Sequence, residues 1–219
     1  MKILALDCAT GACSTAVTAD GTVLARRDVA MARGQSEVLV PMVLATLEEA
    51  GLGFGDLDRL AVTVGPGSFT GLRIGLATAR AMALAAGRPL IGVTTFEAFA
   101  HAVPAGRRDG RTVLVAVESR RAELFVQGFA PDLAPMEAPQ VAPPGQVRLP
   151  EGPLLVAGDG AERMAGALAA HPDARIAAQA APDAAVVARI AATREPGGGM
   201  PGPLYLRAPD VTLPGGTRP

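Results

Sequence analysis

The sequence predicts an α/β fold in two units, the first opening on three antiparallel strands and continuing as alternating helices and parallel strands. Three observations predict it. The opening 30 residues read as a compact β-meander; amphipathic helices then alternate with apolar strands as far as residue 103; and a shortened copy of that pattern returns after residue 110. At 219 residues the chain suits one domain or two small ones, with mass enough to bury a core.

The meander comes first. Residues 3–7 are a compact apolar run, and residues 14–19 alternate Ala16 and Thr18 against Val17 and Ala19. Asp20-Gly21 is a two-residue hairpin signal, because both central positions of a type I′ turn need positive φ. The chain then returns over 22–28 as a third strand.

Leu39, Met42, Val43, Thr46 and Leu47 recur at the spacing of an amphipathic helix, with Gly51 as its stop. Pro41 cannot donate to a helix ladder, so the helix either begins near Leu39 or kinks. Residues 57–64 predict a strand, and Gly65-Pro66-Gly67 a turn. Ser68 is placed to cap a helix over 69–86 that Gly87 closes. A strand over 89–94 and a helix over 96–103 complete the unit. Such a βββαβαβα order is that of the ribonuclease-H-like unit, the half-domain of the actin, sugar-kinase and Hsp70 group.

Residues 105–110 are polar and carry glycines, which marks a boundary between an N-terminal domain over 1–106 and a smaller α/β domain over 107–219. Strands over 112–117 and 122–129 reopen the antiparallel pattern. Residues 131–153 hold seven prolines and predict a long irregular connection. Strands over 154–157 and 175–178, with helices over 161–170 and 184–192, complete the second unit. Gly197-Gly198-Gly199 and residues 214–219 are expected to be flexible.

Composition limits function. Hydrophobic residues make up 49% of the chain, yet aromatics only 3%, and there is no Trp, so the core is built from Ala, Val, Leu and Ile. A net charge of -1 supplies no global field for nucleic acid, so RNA contact needs a local patch or a partner. Cys8 and Cys13 lack zinc-knuckle spacing and suit two reduced thiols. A strand-like run follows Met1-Lys2 with no signal-peptide pattern, and charges interrupt every long apolar stretch; a cytoplasmic protein is expected. His101 and His171 stand alone in the sequence and suggest no metal site.

The segment Gly65-Pro-Gly-Ser-Phe-Thr-Gly-Leu-Arg73 is neither a Walker A loop nor a nucleophile elbow, lacking the lysine of one and the flanking glycines of the other. Gly65, Pro66, Gly67, Ser68 and Gly71 form either a structural turn or an anion-holding helix start. Residues 74–86 carry one charge, Arg80, so that helix needs cover on two sides, from within the chain or from a partner. Asp7 ends the first strand before Thr10 and Gly11, and Gly158-Asp159-Gly160 follows a later strand. Each is either a local turn or a nucleotide-contacting loop. A small actin-like ATPase or kinase acting alone would use these residues.

Taken together the motifs resemble the TsaB family. The matching segments are Ile3 to Asp7, Ala12-Cys13-Ser14, Gln35-Ser36-Glu37, the intact 65–73 block, Ile91-Gly92-Val93 and Pro203-Leu-Tyr-Leu-Arg207. The resemblance implies an actin-like two-domain fold. It also implies a non-catalytic role, with no catalytic residues of the chain's own, in attaching threonylcarbamoyl to the anticodon-adjacent adenosine of tRNA. The implied partners are the catalytic paralogue TsaD, the ATPase TsaE, a second copy of the chain as homodimer, and tRNA through the complex; ATP and magnesium would belong to the assembly. It implies an interface on the two helices of the first unit, at Leu39, Met42, Val43, Thr46 and Leu47 and at Thr70, Arg73, Leu76, Ala77, Arg80, Ala81 and Leu84. The pattern departs at Gln35, where many members have His, and at Glu118-Ser119-Arg120, where they have Asp-Ala-Arg.

Overall fold

In the computed structural model, which describes residues 1–178 and 181–207, two five-stranded mixed sheets carry the chain. Strands β1 (Lys2–Asp7), β2 (Ala12–Ala19) and β3 (Thr22–Ala30) form the expected meander, and the Asp20–Gly21 turn has φ of 49° and 82°. Helices α1 (Gln35–Glu49) and α2 (Phe69–Ala86) then deliver β4 (Arg59–Gly65) and β5 (Leu90–Thr94) parallel to β1, in the order β3-β2-β1-β4-β5. After α3 (Thr95–Ala102), the second sheet repeats the plan with β6 (Thr112–Glu118), β7 (Leu124–Phe129), β8 (Gln140–Ala142), β9 (Leu154–Gly158) and β10 (Ala174–Ala178). Its order, β8-β7-β6-β9-β10, matches the first sheet strand for strand. The second unit is a copy of the first.

Alternation along β1 assigns its two faces. Leu4 and Leu6 meet α1 and α2, while Ile3 and Ala5 meet the opposite layer. Cys8 and Cys13 are buried free thiols with sulfurs 3.3 Å apart. Ser68 caps α2 by accepting the Gly71 N–H at 3.3 Å, and Gly87 ends it at φ 62°.

Five expectations need correction. Helix α1 begins at Gln35 and runs through Pro41; Pro41 and Glu37 are exposed, so water can serve the Glu37 carbonyl that loses its helical donor. The polar stretch over 105–110 is no bare linker but holds a one-turn helix, α4 (Ala105–Arg108). The proline-rich connection includes β8 and a 3-10 turn, and the helix expected over 161–170 is a 3-10 turn followed by α5 (Ala165–Leu168).

The largest correction concerns α6 (Ala184–Ala192). It was expected to complete the second unit, but it packs on the first sheet, with Val187, Ala188 and Ala191 against Ile3, Ala5, Ala16 and Ala61. Small residues on both surfaces allow that close approach. Conversely, Phe96, Phe99 and Ala100 of α3 enter the core of the second sheet. Arg59 donates to the carbonyls of Ala191 at 3.0 Å and Arg194 at 2.6 Å, holding the C-terminal end of α6 in place. Arg194 in turn donates to Gly92 O at 2.7 Å and pairs with Glu97, whose backbone N–H and carboxylate close a capping box with Thr94. The helices thus interlock the two halves. Residues 214–219 lie outside the described residues.

Candidate functional site

Two regions gather the residues expected to act: the turns at the strand ends of both sheets, and the outward side of α1 and α2.

At the strand ends, Asp7 is wholly buried. Its Oδ1 accepts the Thr63 hydroxyl at 2.6 Å and the Ala9 N–H at 3.1 Å, whereas Oδ2 has no partner. Burial pushes its carboxyl up to about 7, against those two hydrogen bonds, and the charges of Asp159 and Asp183 add to the rise. Asp159, at the end of the second sheet's β9, is raised to about 6, again chiefly by burial, although it accepts the Glu118 N–H at 2.9 Å. Asp183 caps α6 and pairs with Arg26. Asp7 thus feels both charges, but among the described residues no group of three or more such side chains could hold a metal ion.

The turns around them are closed by backbone packing. Ser68 donates its N–H to Ala9 O at 2.7 Å, and a Cβ on Gly67 would stand 2.0 Å from that same oxygen. In the other unit a Cβ on Gly158, which has φ 105°, would stand 2.2 Å from Ala116 O. Thr10 and Gly160 are buried as well, and of the residues expected to contact a nucleotide only Gly11 is exposed. Of the two alternatives for 65–71, the tight structural turn accounts for Gly67 and Gly71.

On the helices, the expected interface divides in two. Leu39, Met42, Val43, Thr46, Leu47 and Leu76 are core residues: they face β1, β2 and β4, and Thr46 shares a 2.7 Å hydroxyl contact with Thr15. An amphipathic stripe points to a burial partner, and here the chain's own sheet is that partner. Thr70, Arg73, Ala77, Ala81 and Leu84 lie on the exposed side of α2; Arg80 is half-buried and spends its guanidinium on the Pro201 carbonyl at 2.5 Å. The sequence pattern missed Val40 and Leu44, the exposed apolar residues of α1; Leu44 is 53% exposed and Leu84 76%. Their off-stripe positions were the available signal.

Sequence reasoning also missed a cavity of about 680 Å³ beyond the strand-end turns. Three segments form it: the first turn of α2, the β6–β7 turn from Glu118 to Arg121, and a C-terminal strap from Leu204 to Arg207. The strap is fixed by the Leu204 N–H donating to Val64 O at 2.7 Å. Inside, the Arg73 guanidinium lies 3.7 Å over the Phe69 ring, its Nε donates to the Tyr205 hydroxyl at 3.3 Å, and the two rings stand 5.5 Å apart. Asp7 does not line this cavity.

The family model of TsaD, tRNA N6-adenosine threonylcarbamoyltransferase, matches residues 29–133. The Escherichia coli tRNA threonylcarbamoyladenosine biosynthesis protein TsaB is 43% identical over 126 residues, 57% of this chain and 53% of the relative. The chain spans about half the length of the curated relatives it matches. A crystal structure of a Pseudomonas aeruginosa protein with similarity to the peptidase YeaZ superposes at a TM-score of 0.80 and 28% identity, covering 94% of this chain and 99% of that one. At 10% identity and a TM-score of 0.51, the ADPNP-bound activator of a Clostridium difficile 2-hydroxyisocaproyl-CoA dehydratase covers 87% of this chain and 94% of its own; that likeness concerns the fold, which is actin-like. Among the described residues, no helix is long and apolar enough to cross a membrane.

Proposed function

We propose that the chain is a member of the TsaB family and acts in the biosynthesis of threonylcarbamoyladenosine in tRNA as a non-catalytic subunit that docks the catalytic paralogue TsaD. The observation that carries this reading is the outward face of α1 and α2. Val40 and Leu44 on one helix and Ala77, Ala81 and Leu84 on the other stand in solvent on neighbouring helices whose inner faces are already satisfied by the sheet. Single exposed leucines are ordinary, but an apolar surface shared by two helices suits association with another helix pair.

On this reading the docked partner supplies the reactive groups, the ATPase TsaE acts on the assembled complex with ATP and magnesium, and tRNA is reached through that complex in the cytoplasm. A relative of the same fold is a natural occupant, because it would present the same two helices. A second copy of this chain would compete for the face, giving a homodimer when the paralogue is scarce.

The test is copurification of the chain with the paralogue from the same cell, for wild type and for Leu44→Asp and Leu84→Asp, alongside nucleoside analysis of tRNA from depleted cells. Loss of the complex with either variant, and loss of the modified nucleoside on depletion, is expected. Intact complex with both variants would remove the docking face, and unchanged modification would remove the role.

A further inference from the structure

Cys8 and Cys13, the only two cysteines of the chain, belong neither to the docking face nor to the cavity lining, yet the fold sets them sulfur to sulfur. The antiparallel register of β1 and β2 runs from Lys2 opposite Ala19 to Asp7 opposite Ser14, and one step further it puts Cys8 opposite Cys13. Main chain fixes both. Cys13 lies within β2 and pairs with Val29 of β3. The carbonyl oxygen of Cys8 abuts Gly71 of α2, where an added Cβ would stand 2.1 Å away. Neither backbone is free to swing aside, and the sulfurs meet at 3.3 Å. A disulfide holds two sulfurs at about 2.05 Å, so closure needs a movement of roughly 1 Å.

The segment that such a bond would close is a junction. Ala9 O accepts the Ser68 N–H at 2.7 Å beside the cap of α2, and Gly11 O accepts the Met31 N–H at 2.9 Å where the chain leaves β3. Ala9 also donates its N–H to Asp7 Oδ1 at 3.1 Å. Both sulfurs are buried, but Gly11 between them is exposed, and a Cβ added there would meet nothing. A small oxidant therefore reaches the pair by local opening of this turn, not through the sheet. The two thiols are unequal. When Cys8 donates the hydrogen bond between them, its own thiol is pushed up, while that bond draws Cys13 down against the opposing effect of burial. The thiol that ionises more readily is the one that attacks.

We propose that Cys8 and Cys13 are a redox modification site, closed by a hydroperoxide to an intrachain disulfide that clamps the turn over 9–12 and reopened by a dithiol. In the first step the Cys13 sulfur, as thiolate, attacks a peroxide oxygen. The O–O bond breaks, Cys13 becomes a sulfenic acid, and the leaving oxygen takes up the proton that the thiol released. The Cys8 sulfur then attacks the Cys13 sulfur. The S–S bond forms, the S–O bond breaks, and the hydroxyl departs as water with the Cys8 proton. Two thiols lose two electrons in all, and the peroxide gains them. Because the cap of α2 and the exit of β3 both hang on this turn, the bond restrains opening at their shared hydrogen bonds.

The experiment treats the full chain with hydrogen peroxide, then unfolds it, alkylates it with iodoacetamide and reads its mass with and without prior dithiothreitol. A monomer two hydrogens lighter that takes up no alkyl group, and that takes up two after dithiothreitol, is expected; with two cysteines in the chain, that bond can only join Cys8 to Cys13. Hydrogen exchange on the linked and the reduced chain is the second readout and needs no variant. The amides of Ser68 and Met31 should exchange about tenfold more slowly once the bond is made, and those of β6, in the other sheet, should not change. Two alkyl groups on the treated chain, a disulfide between chains, or sulfinic acid at either cysteine without linkage would overturn the site. Unchanged exchange at Ser68 and Met31 in the linked chain would overturn its action on the turn.

Discussion

A Cβ added to Gly71 would stand 2.1 Å from the carbonyl oxygen of Cys8. Helix α2 therefore rests on the end of β1 backbone to backbone, and no side chain fits between them. The obstacle is main chain, which cannot rotate aside. Gly71→Ala should cost about 3 kcal/mol, at the upper end of overpacking penalties. Urea unfolding would show it as a lower midpoint at an unchanged slope.

Asp7 gives stability a pH dependence. Its folded carboxyl titrates at about 7, against an ordinary value near 3.8. Between those values the folded state holds a proton that the unfolded state has released, so stability falls as pH rises through the window and levels off above it. Asp7→Asn keeps an oxygen for Thr63 and Ala9 and carries no charge. The stability difference, variant minus wild type, should grow from pH 4 to pH 7 by on the order of a few kcal/mol. Urea midpoints for both proteins across that range would measure it; a difference that stays flat would contradict the protonated Asp7.

The two sides of α1 and α2 should answer oppositely to a charge. Leu44→Asp and Leu84→Asp place a carboxylate in water and should change stability by no more than about 0.5 kcal/mol. Leu39→Asp and Leu76→Asp bury one among Leu4, Val43 and Val62, at about 3–5 kcal/mol, and should leave little folded protein. Thermal melts of the four variants would separate core from surface before any partner is added.

Arg59 is the fastening of α6. Arg59→Ala leaves the carbonyls of Ala191 and Arg194 without that donor at the end of a helix that closes the first core, and should cost about 1–3 kcal/mol. Hydrogen exchange would reveal it as faster exchange in α6 than in α2, whose contacts the change does not touch.

The sequence by itself determined the strand order, the hairpin at Asp20-Gly21, the limits of α2 and the doubling of the unit. Each depends on periodicity or on a local backbone demand, and neighbouring residues state both. It also marked Leu39, Met42, Val43, Thr46 and Leu47 as a buried stripe. What buries that stripe is a matter of position in space, and the tertiary structure gave it to β1 and β2 and left Val40 and Leu44 outside. Only the tertiary structure, too, set α6 on the far sheet, buried Asp7, and brought Arg73, Arg120 and Tyr205, separated by many residues, to one cavity. Small alanines declare that a helix is covered, not by which sheet, because their fit is a property of two surfaces and only one of them is local.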